Sequence, residues 1–252
     1  MIAALGLLLA TATGAANAGD TPAWTAMAPG ARRATITDGD TPILLFEFDL
    51  RRFRADVVVG AGWPPRAQTA AEVRQAARGG AGDRPGKPPG GVVAAVNGGF
   101  FDQRRASLGL RVSRGDTRVP LRPRVDWGVL VLADRQARIV HSREFRAAPD
   151  VAGAIQVGPR LLVGGAPTTL KPQLARRTAV ALDGTGSLLT LVIVDRAIEA
   201  GRLAARLAAL GFTSALMLDG GPSTQLSLAV GETHMEVPGL YAVPDLLIIS
   251  AR

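Results

Sequence analysis

The chain has 252 residues, of which 47% are hydrophobic and 20% are charged, enough for one globular domain with an ample core. Its formal net charge of +8 comes mostly from scattered arginines, without the basic runs interleaved with aromatic rings that nucleic-acid grooves need, so nucleic acid is not expected as a partner. The absence of cysteine excludes thiol nucleophiles, thiolate metal sites and disulfides.

The first 18 residues differ from the rest of the chain. Residues 2–10 are a short apolar stretch, and Ala16 and Ala18 follow it at the spacing of a cleavage site. This pattern predicts a secretory signal peptide over residues 1–18, although no basic residue precedes the apolar stretch. Residues 19–252 are then expected to form one exported domain, periplasmic or secreted, without a permanent membrane anchor.

Short apolar runs bounded by glycine, proline and aspartate predict a chain made mostly of hairpin-linked strands. Thr69, followed three residues later by Glu72, forms a capping box that predicts a short helix over 70–77. The predicted strands are 43–50, 53–59, 92–96, 108–112, 129–132, 137–140, 154–157, 178–182, 188–194 and 215–218.

The last two predicted strands flank a second helix. This helix is predicted over 199–210, with leucines on one face and Gly211 as its C-terminal stop. A strand–helix–strand unit favours a parallel pair joined by a right-handed crossover, which brings Asp195 and Asp219 to one rim of the sheet. Because the other strands look hairpin-linked, the expected fold class is α+β: a single domain with a mixed, twisted β-sheet and this one crossover.

Two glycine-rich loops follow apolar strands and carry candidate ligand-binding groups. In residues 218–225, LDGGPSTQ, the glycines let the backbone approach a ligand, and successive amides can form an anion nest with the Asp219 carboxylate at its mouth. In residues 97–102, NGGFFD, Asn97 could donate its amide to a ligand oxygen and Phe100 could offer a ring face to a sugar. A plain Asp-Gly hairpin turn and buried core positions for the phenylalanines are the alternatives.

Five motifs in this order resemble those of the phosphodiester glycosidase family. They are NGGFFD at 97–102, LGL at 108–110, QVGPR at 156–160, RRT at 176–178 and LDGGPSTQ at 218–225. The combination is far more specific than any single motif, and the family's animal member removes N-acetylglucosamine from a phosphodiester. The bacterial branch is most similar, because Pro222 stands where the animal motif has a third glycine. The resemblance implies an enzyme that hydrolyses the bond between a sugar and a phosphate.

That reaction needs cations that bind phosphate and carboxylates that act on the sugar, so arginines and aspartates are the candidate catalytic residues. Phosphate is already a good leaving group, so charge stabilisation by Arg177, or next by Arg160, matters more than a strong general acid. Glycoside hydrolysis generally uses two carboxylates, and Asp219 and Asp195 are the predicted pair, with Asp102 and Asp183 as the next candidates. The predicted catalytic residues are therefore Asp219, Asp195 and Arg177. The predicted substrate-binding residues are Asn97, Gly98, Phe100, Asp102, Arg160, Thr178, Gly220, Gly221, Ser223 and Thr224.

Other interpretations remain open. A non-catalytic envelope protein that binds anionic glycans would use the same arginines and glycine nest. A serine hydrolase built on Ser223 is disfavoured, because the glycine two places after a nucleophile-elbow serine is missing and only His141 and His234 could act as base. No cofactor is predicted, although a divalent cation held by Asp and Asn oxygens stays open. The expected partner is a sugar phosphate or glycan, and no oligomeric state is predicted.

Overall fold

The computed structural model describes residues 21–62, 65–78, 91–123 and 125–252. Within these ranges the chain is mostly β-structure, with two α-helices and a 3₁₀ turn at Gly221–Ser223. The expected balance of α and β structure is therefore wrong, and the fold is better described as mostly β. The predicted signal peptide lies outside the described residues, so its boundary stays a prediction.

Eighteen strands and two helices make up the regular structure of the described ranges. In chain order, the strands are β1 (Thr25–Ala28), β2 (Ala31–Asp38), β3 (Thr41–Asp49), β4 (Phe53–Val59), β5 (Val92–Asn97), β6 (Arg111–Ser113), β7 (Asp116–Val119), β8 (Gly128–Leu132), β9 (Ala137–His141), β10 (Gly153–Val157), β11 (Arg160–Val163), β12 (Ala166–Pro167), β13 (Leu174–Leu182), β14 (Leu188–Glu199), β15 (Ser214–Met217), β16 (Leu226–Val230), β17 (Thr233–Val237) and β18 (Asp245–Ala251). The helices are α1 (Ala70–Arg78) and α2 (Ala200–Ala209).

These strands form three sheets. One has eight strands in the order β1-β2-β3-β14-β13-β15-β11-β12, and two have five strands, in the orders β17-β16-β5-β18-β4 and β7-β6-β10-β8-β9. Every strand pairing in the described residues is antiparallel. The predicted mixed sheet is wrong, because β13 lies between β14 and β15 and pairs antiparallel with both. The strands that flank α2, β14 and β15, do run parallel to one another. They do not pair, because β13 lies along the edge of β14 that β15 would have used.

The eight-stranded sheet is covered on both faces, which explains why its central strand β14 is apolar on both sides. Val192 and Val194 pack with Leu203 of α2 on one face. Leu191 and Ile193 point the other way, into a core that the five-stranded sheets also line. The order of layers is therefore α2, the large sheet, and then the two smaller sheets.

Local chemistry predicts where α1 begins and where α2 ends. At α1 the Thr69 amide donates to the Glu72 carboxylate at 2.7 Å, and the Glu72 amide donates to Thr69 Oγ1 at 3.2 Å, which confirms the capping box. The chain leaves α2 at Gly211, whose φ of +83° suits glycine. Neither helix of the described residues has the length and apolar character needed to span a membrane.

Candidate active site

The two glycine-rich loops meet at one end of the eight-stranded sheet. The Asp219 amide donates to the Gly98 carbonyl at 3.0 Å, and the Asn97 amide nitrogen donates to the Asp219 carbonyl at 2.7 Å. Asn97 Oδ1 accepts from Thr178 Oγ1 at 2.8 Å and from the Gln225 amide at 3.2 Å. Asn97 and Thr178 are fully buried and bonded to one another. They therefore hold the loops together, instead of presenting their side chains to a substrate as predicted.

A buried ion pair supports the first loop from beneath. Arg111 and Asp245 are both fully buried, with Nε and Oδ2 2.8 Å apart. The Gly99 amide and the Ser107 hydroxyl donate to the Asp245 carboxylate at 2.9 and 2.6 Å, and Arg111 also donates to the Phe100 carbonyl at 3.2 Å. Sequence reasoning missed this pair. The available signal was a charged residue inside or at the start of an apolar strand.

Close packing explains the glycines of this junction. A Cβ at Gly98 would lie 2.0 Å from Asp245 Oδ1, and one at Gly99 would lie 2.3 Å from Arg111 Nη2. A Cβ at Gly220 would lie 2.8 Å from the Arg176 carbonyl oxygen. Gly98 was predicted to bind substrate, but its lack of a side chain is already required by the ion pair.

The Asp219 carboxyl group is held by its own loop. Its Oδ1 accepts from the Gly220 amide at 2.9 Å, and its Oδ2 accepts from Ser223 Oγ at 2.6 Å. Burial raises the pKa of Asp219, as does the nearby negative charge of Asp245, while these two hydrogen bonds oppose the rise. The Gly220 amide and the buried Ser223 hydroxyl were predicted to cradle phosphate. In the structure they orient a carboxylate, and Thr224 is buried behind them.

A cavity of about 570 Å³ opens beside Asp219. Its wall includes Gly220 and Gly221 from the second loop, Phe100 from the first, and Arg177 from β13. Asp219 is the only carboxylate on this wall among the residues that the structure describes. One carboxyl group of raised pKa and one guanidinium group therefore line the same cavity.

Arg177 is 6% exposed, yet its partners in the described part of the chain are all uncharged. Its Nε donates to the Ile198 carbonyl at 3.2 Å, its Nη1 lies 3.7 Å from the Met217 sulfur, and its Nη2 donates to the Gln173 carbonyl. Burial lowers the pKa of the Arg177 guanidinium. A largely buried cation that no carboxylate of the described residues neutralises, on the wall of a cavity, is suited to bind an anion.

Asp195, the other predicted catalytic carboxylate, is not brought to the cavity. Its carboxylate forms an ion pair with Arg176, which also donates to the Pro238 carbonyl at 3.0 Å. Val194 packs on the α2 face of the sheet, so Asp195, the next residue of the strand, points to the opposite face. Arg177 projects on the α2 face, because it is paired in register with Val194. The predicted pair of Asp219 and Asp195 is therefore not assembled at this site.

Three further predicted residues also lie off the cavity wall. Asp102 Oδ1 accepts from the backbone amides two and four residues later, at 2.8 and 2.9 Å, and so closes its own turn. Asp183 does the same in the turn between β13 and β14. Arg160 is half-buried on β11, next to Pro159, which does line the cavity.

The wall also contains residues that sequence reasoning missed. Thr169, Lys171 and Gln173 line it from the exposed segment between β12 and β13, which carries no motif. Phe100 combines the two predicted roles, ligand contact and core packing. It lines the cavity, and its ring packs edge-to-face on Trp127 with the ring centroids 5.2 Å apart.

The serine hydrolase interpretation has no support in the geometry. Ser223 Oγ donates to Asp219 and not to a histidine. His141 Nε2 lies 2.5 Å from Asp126 Oδ1, and its Nδ1 accepts from the Arg143 amide. No group of three or more His, Asp or Glu side chains in the described ranges is arranged to hold a metal ion.

Comparison with known proteins identifies the family. The sequence model of the phosphodiester glycosidases matches residues 90–250. No curated protein matches the chain. The structure is similar to the catalytic domain of zebrafish N-acetylglucosamine-1-phosphodiester alpha-N-acetylglucosaminidase, auto-inhibited by its pro-peptide, with 18% identity, a TM-score of 0.63, and coverage of 87% of this chain and 82% of that chain.

Two bacterial structures are also similar. A hypothetical protein from Synechocystis has 16% identity and a TM-score of 0.61, over 88% of this chain and 62% of that chain. A protein from Burkholderia pseudomallei has 14% identity and a TM-score of 0.57, over 83% and 74%. Identities this low show a shared fold, whereas the family match covers more than half of the sequence and includes all five motifs. The chain belongs to the phosphodiester glycosidase family.

Proposed function

We propose that this protein is an exported hydrolase that cleaves the bond between the anomeric carbon of a sugar and the phosphate of a sugar-1-phosphodiester. Membership of the family supports a hydrolase acting on phosphodiester-linked sugars. The observation that carries the proposal is that one cavity is lined by Asp219 and by Arg177, which has no carboxylate partner among the residues that the structure describes. The name of the zebrafish relative specifies N-acetylglucosamine, which is therefore the first sugar to test.

Arg177 acts on the phosphate. Its guanidinium group is held in place by two backbone carbonyls, through Nε and Nη2, and the N–H groups left over on its two terminal nitrogens can donate to phosphate oxygens. As the bond to the sugar breaks, negative charge grows on the departing phosphate. A fixed positive charge in a site shielded from water stabilises that charge more strongly than it would in water.

Asp219 acts on the sugar. Glycosidases usually combine an acid that protonates the leaving group with a carboxylate that attacks the sugar or activates water. A phosphate leaving group removes the need for a strong acid, so one carboxylate is sufficient. In its ionised form Asp219 either attacks the anomeric carbon or takes a proton from the attacking water, with Gly220 and Ser223 fixing the direction of its oxygens.

Binding of anionic glycans without catalysis is the second candidate. A single carboxylate on the cavity wall is the observation that favours it, since most glycosidases use two. A binding protein, however, gains nothing from a carboxyl group beside an anion site. Asp219 would repel the phosphate that Arg177 attracts.

The decisive experiment assays the purified protein against a small panel of sugar-1-phosphodiesters, beginning with an N-acetylglucosamine diester. Free sugar should be released, and Asp219→Asn should lower the rate by at least about 100-fold, the scale of a lost catalytic acid–base group. Asp195→Asn is the matched control, because its carboxylate pairs with Arg176 off the cavity wall, and it should keep the parental rate. Release that survives Asp219→Asn, or no release from any diester, would contradict the proposal.

A further inference from the structure

The segment between β12 and β13 forms one side of the cavity and is held at both ends. At its start, Thr168 Oγ1 donates to the Arg160 carbonyl at 2.6 Å. At its end, the Gln173 carbonyl accepts from the Arg177 guanidinium. Lys171 lies between these two anchors and lines the cavity, so it is held beside the site although it is exposed to solvent.

Alternate residues of this segment and of β13 face the cavity. Lys171, Gln173, Ala175 and Arg177 all line it, whereas the three residues between them do not. This spacing of two is that of an extended chain, whose alternate side chains lie on one face. Lys171 and Gln173 are exposed, Ala175 is half-buried and Arg177 is 6% exposed. The face therefore carries one cation at its outer end and another at its inner end.

The two cations are close enough to act on one phosphate group. Arg177 Nη2 donates to the Gln173 carbonyl, which brings the guanidinium group level with the backbone of Gln173. Lys171 is two residues from Gln173, and two residues of extended chain span at most about 7 Å. The flexible four-carbon stem of lysine can cover such a distance. Its ammonium group can therefore reach a phosphate that the guanidinium group binds.

The charges on the cavity wall show what Arg177 alone leaves unbalanced. Lys171, Arg177 and Asp219 are the charged side chains on this wall among the residues that the structure describes. With Asp219 ionised and a phosphodiester bound, one cation leaves a net negative charge, which the second cation cancels. When the bond between the anomeric carbon and oxygen breaks, its electron pair stays on the phosphate oxygen and adds negative charge there. The second cation therefore opposes the repulsion between Asp219 and the phosphate before and after cleavage.

We propose that Lys171 is a second phosphate-binding residue, which binds the substrate phosphate together with Arg177 and offsets the negative charge of Asp219. This rests on the proposed function, which supplies the phosphate and the ionised Asp219. Arg177 is buried and held by carbonyls, so it is a fixed group that stabilises developing charge. Lys171 is exposed and flexible, so it contributes chiefly to capture of the diester.

Kinetics with the methyl diester of N-acetylglucosamine 1-phosphate test the role of the Lys171 charge. Lys171→Met should raise KM about tenfold, the lower end for a hydrogen bond to a charged group, and should change kcat by less than about threefold. Lys171→Arg should return KM to near the parental value. The KM of the parent should rise with added salt more steeply than that of Lys171→Met, because salt screens an exposed charge.

Arg33→Met is the matched control for net charge. It removes one positive charge from an exposed arginine of β2 that does not line the cavity, so KM and its salt dependence should stay parental. An equal rise in KM for Arg33→Met and Lys171→Met would show an effect of overall charge and would overturn the proposal. An unchanged KM in Lys171→Met would overturn it as well.

Chemical labelling tests the contact without turnover. Lys87 and Lys171 are the only lysines of the sequence, so Lys171 is the sole lysine in a Lys87→Arg/Asp219→Asn variant. Its acetylation by an N-hydroxysuccinimide ester, followed by mass spectrometry, should slow several-fold when the methyl diester is bound. The reason is that an ammonium group bound to phosphate loses its proton less readily. N-acetylglucosamine alone should not slow the acetylation.

The outcomes separate this proposal from the proposed function. Protection of Lys171 by the diester, with no hydrolysis by the parent, would reject the proposed function and leave Lys171 established as an anion-binding residue. Hydrolysis without protection would overturn the assignment of Lys171 to the phosphate. Equal protection by N-acetylglucosamine and by the diester would also overturn it, because the contact would then be to the sugar.

Discussion

Arg111 and Arg177 are both buried arginines near the same end of the large sheet, but their surroundings differ. Arg111 forms an ion pair with the equally buried Asp245, 2.8 Å away. Arg177 has backbone carbonyls and a methionine sulfur as its partners. The charge of Arg111 is balanced within the protein, whereas that of Arg177 is left for a ligand to balance. The comparison teaches that the partners of a buried charge, more than its burial, distinguish a structural role from a functional one.

The largest expected effect is on stability at Arg111. Arg111→Met removes the cation and leaves Asp245 charged and buried, so the free energy of unfolding should fall by about 3–5 kcal/mol. Denaturant unfolding measures this. The double variant Arg111→Met/Asp245→Asn should recover part of the loss, because no buried charge then remains unpaired. An Arg111→Met protein as stable as the parent would contradict the structural role assigned to Arg111.

Arg177→Met should lower activity strongly and stability only slightly, the reverse of Arg111→Met. Hydrolysis of a sugar-1-phosphodiester should fall by about 10²–10³-fold, the usual cost of losing one fixed group that stabilises developing charge. The free energy of unfolding should change by only about 1 kcal/mol, because methionine fills similar space and the desolvation cost of the buried cation disappears along with its hydrogen bonds. Strong destabilisation with retained activity would show that Arg177 is a second structural arginine.

The smallest expected effect concerns the titration of Asp219. Burial raises the pKa of this carboxyl group, so activity that needs its ionised form should fall with decreasing pH at a higher pH than an ordinary aspartate would give. A pH–rate profile of kcat/KM measures this limb. A limb at the pH of a free aspartate would contradict the assignment of the base.

The same titration gives a stability control. Because the pKa is raised in the folded state, the stabilising contribution of the protonated form is fully present below the unfolded pKa and is lost as the pH rises through the folded pKa. Asp219→Asn stays neutral at every pH. Its Tm should therefore equal or slightly exceed that of the parent at pH 7, and this difference should disappear at low pH.

Local sequence pattern was sufficient to predict much of the fold and the two glycine-rich loops of the candidate site. The capping box at Thr69, the stop at Gly211 and the strand ends that carry Asn97 and Asp219 follow from neighbouring residues, and the structure confirms them. The order of strands in the large sheet does not follow from local pattern. The position of β13 between β14 and β15 depends on the docking of whole hairpins.

The direction of side chains was the least predictable feature. Asn97 bonds to Thr178, 81 residues away, and to Asp219, 122 residues away, so whether its amide meets a ligand or the chain depends on tertiary packing. Asp195 points away from the cavity because of strand register, which sequence spacing does not specify. Lys171 belongs to no motif, and only the structure brings it to the cavity.

The position of Asn97 links the integrity of the fold to catalysis. One small side chain bonds to the Asp219 carbonyl and the Gln225 amide of the second loop and to the Thr178 hydroxyl of β13, so the carboxyl group of Asp219 takes its working orientation only after the sheets have docked. A chain that has lost this docking, even with most of its strands intact, has no assembled reaction centre. Turnover of substrate therefore serves as a sensitive gauge of native packing, and it should disappear on heating before the bulk of the β-structure melts.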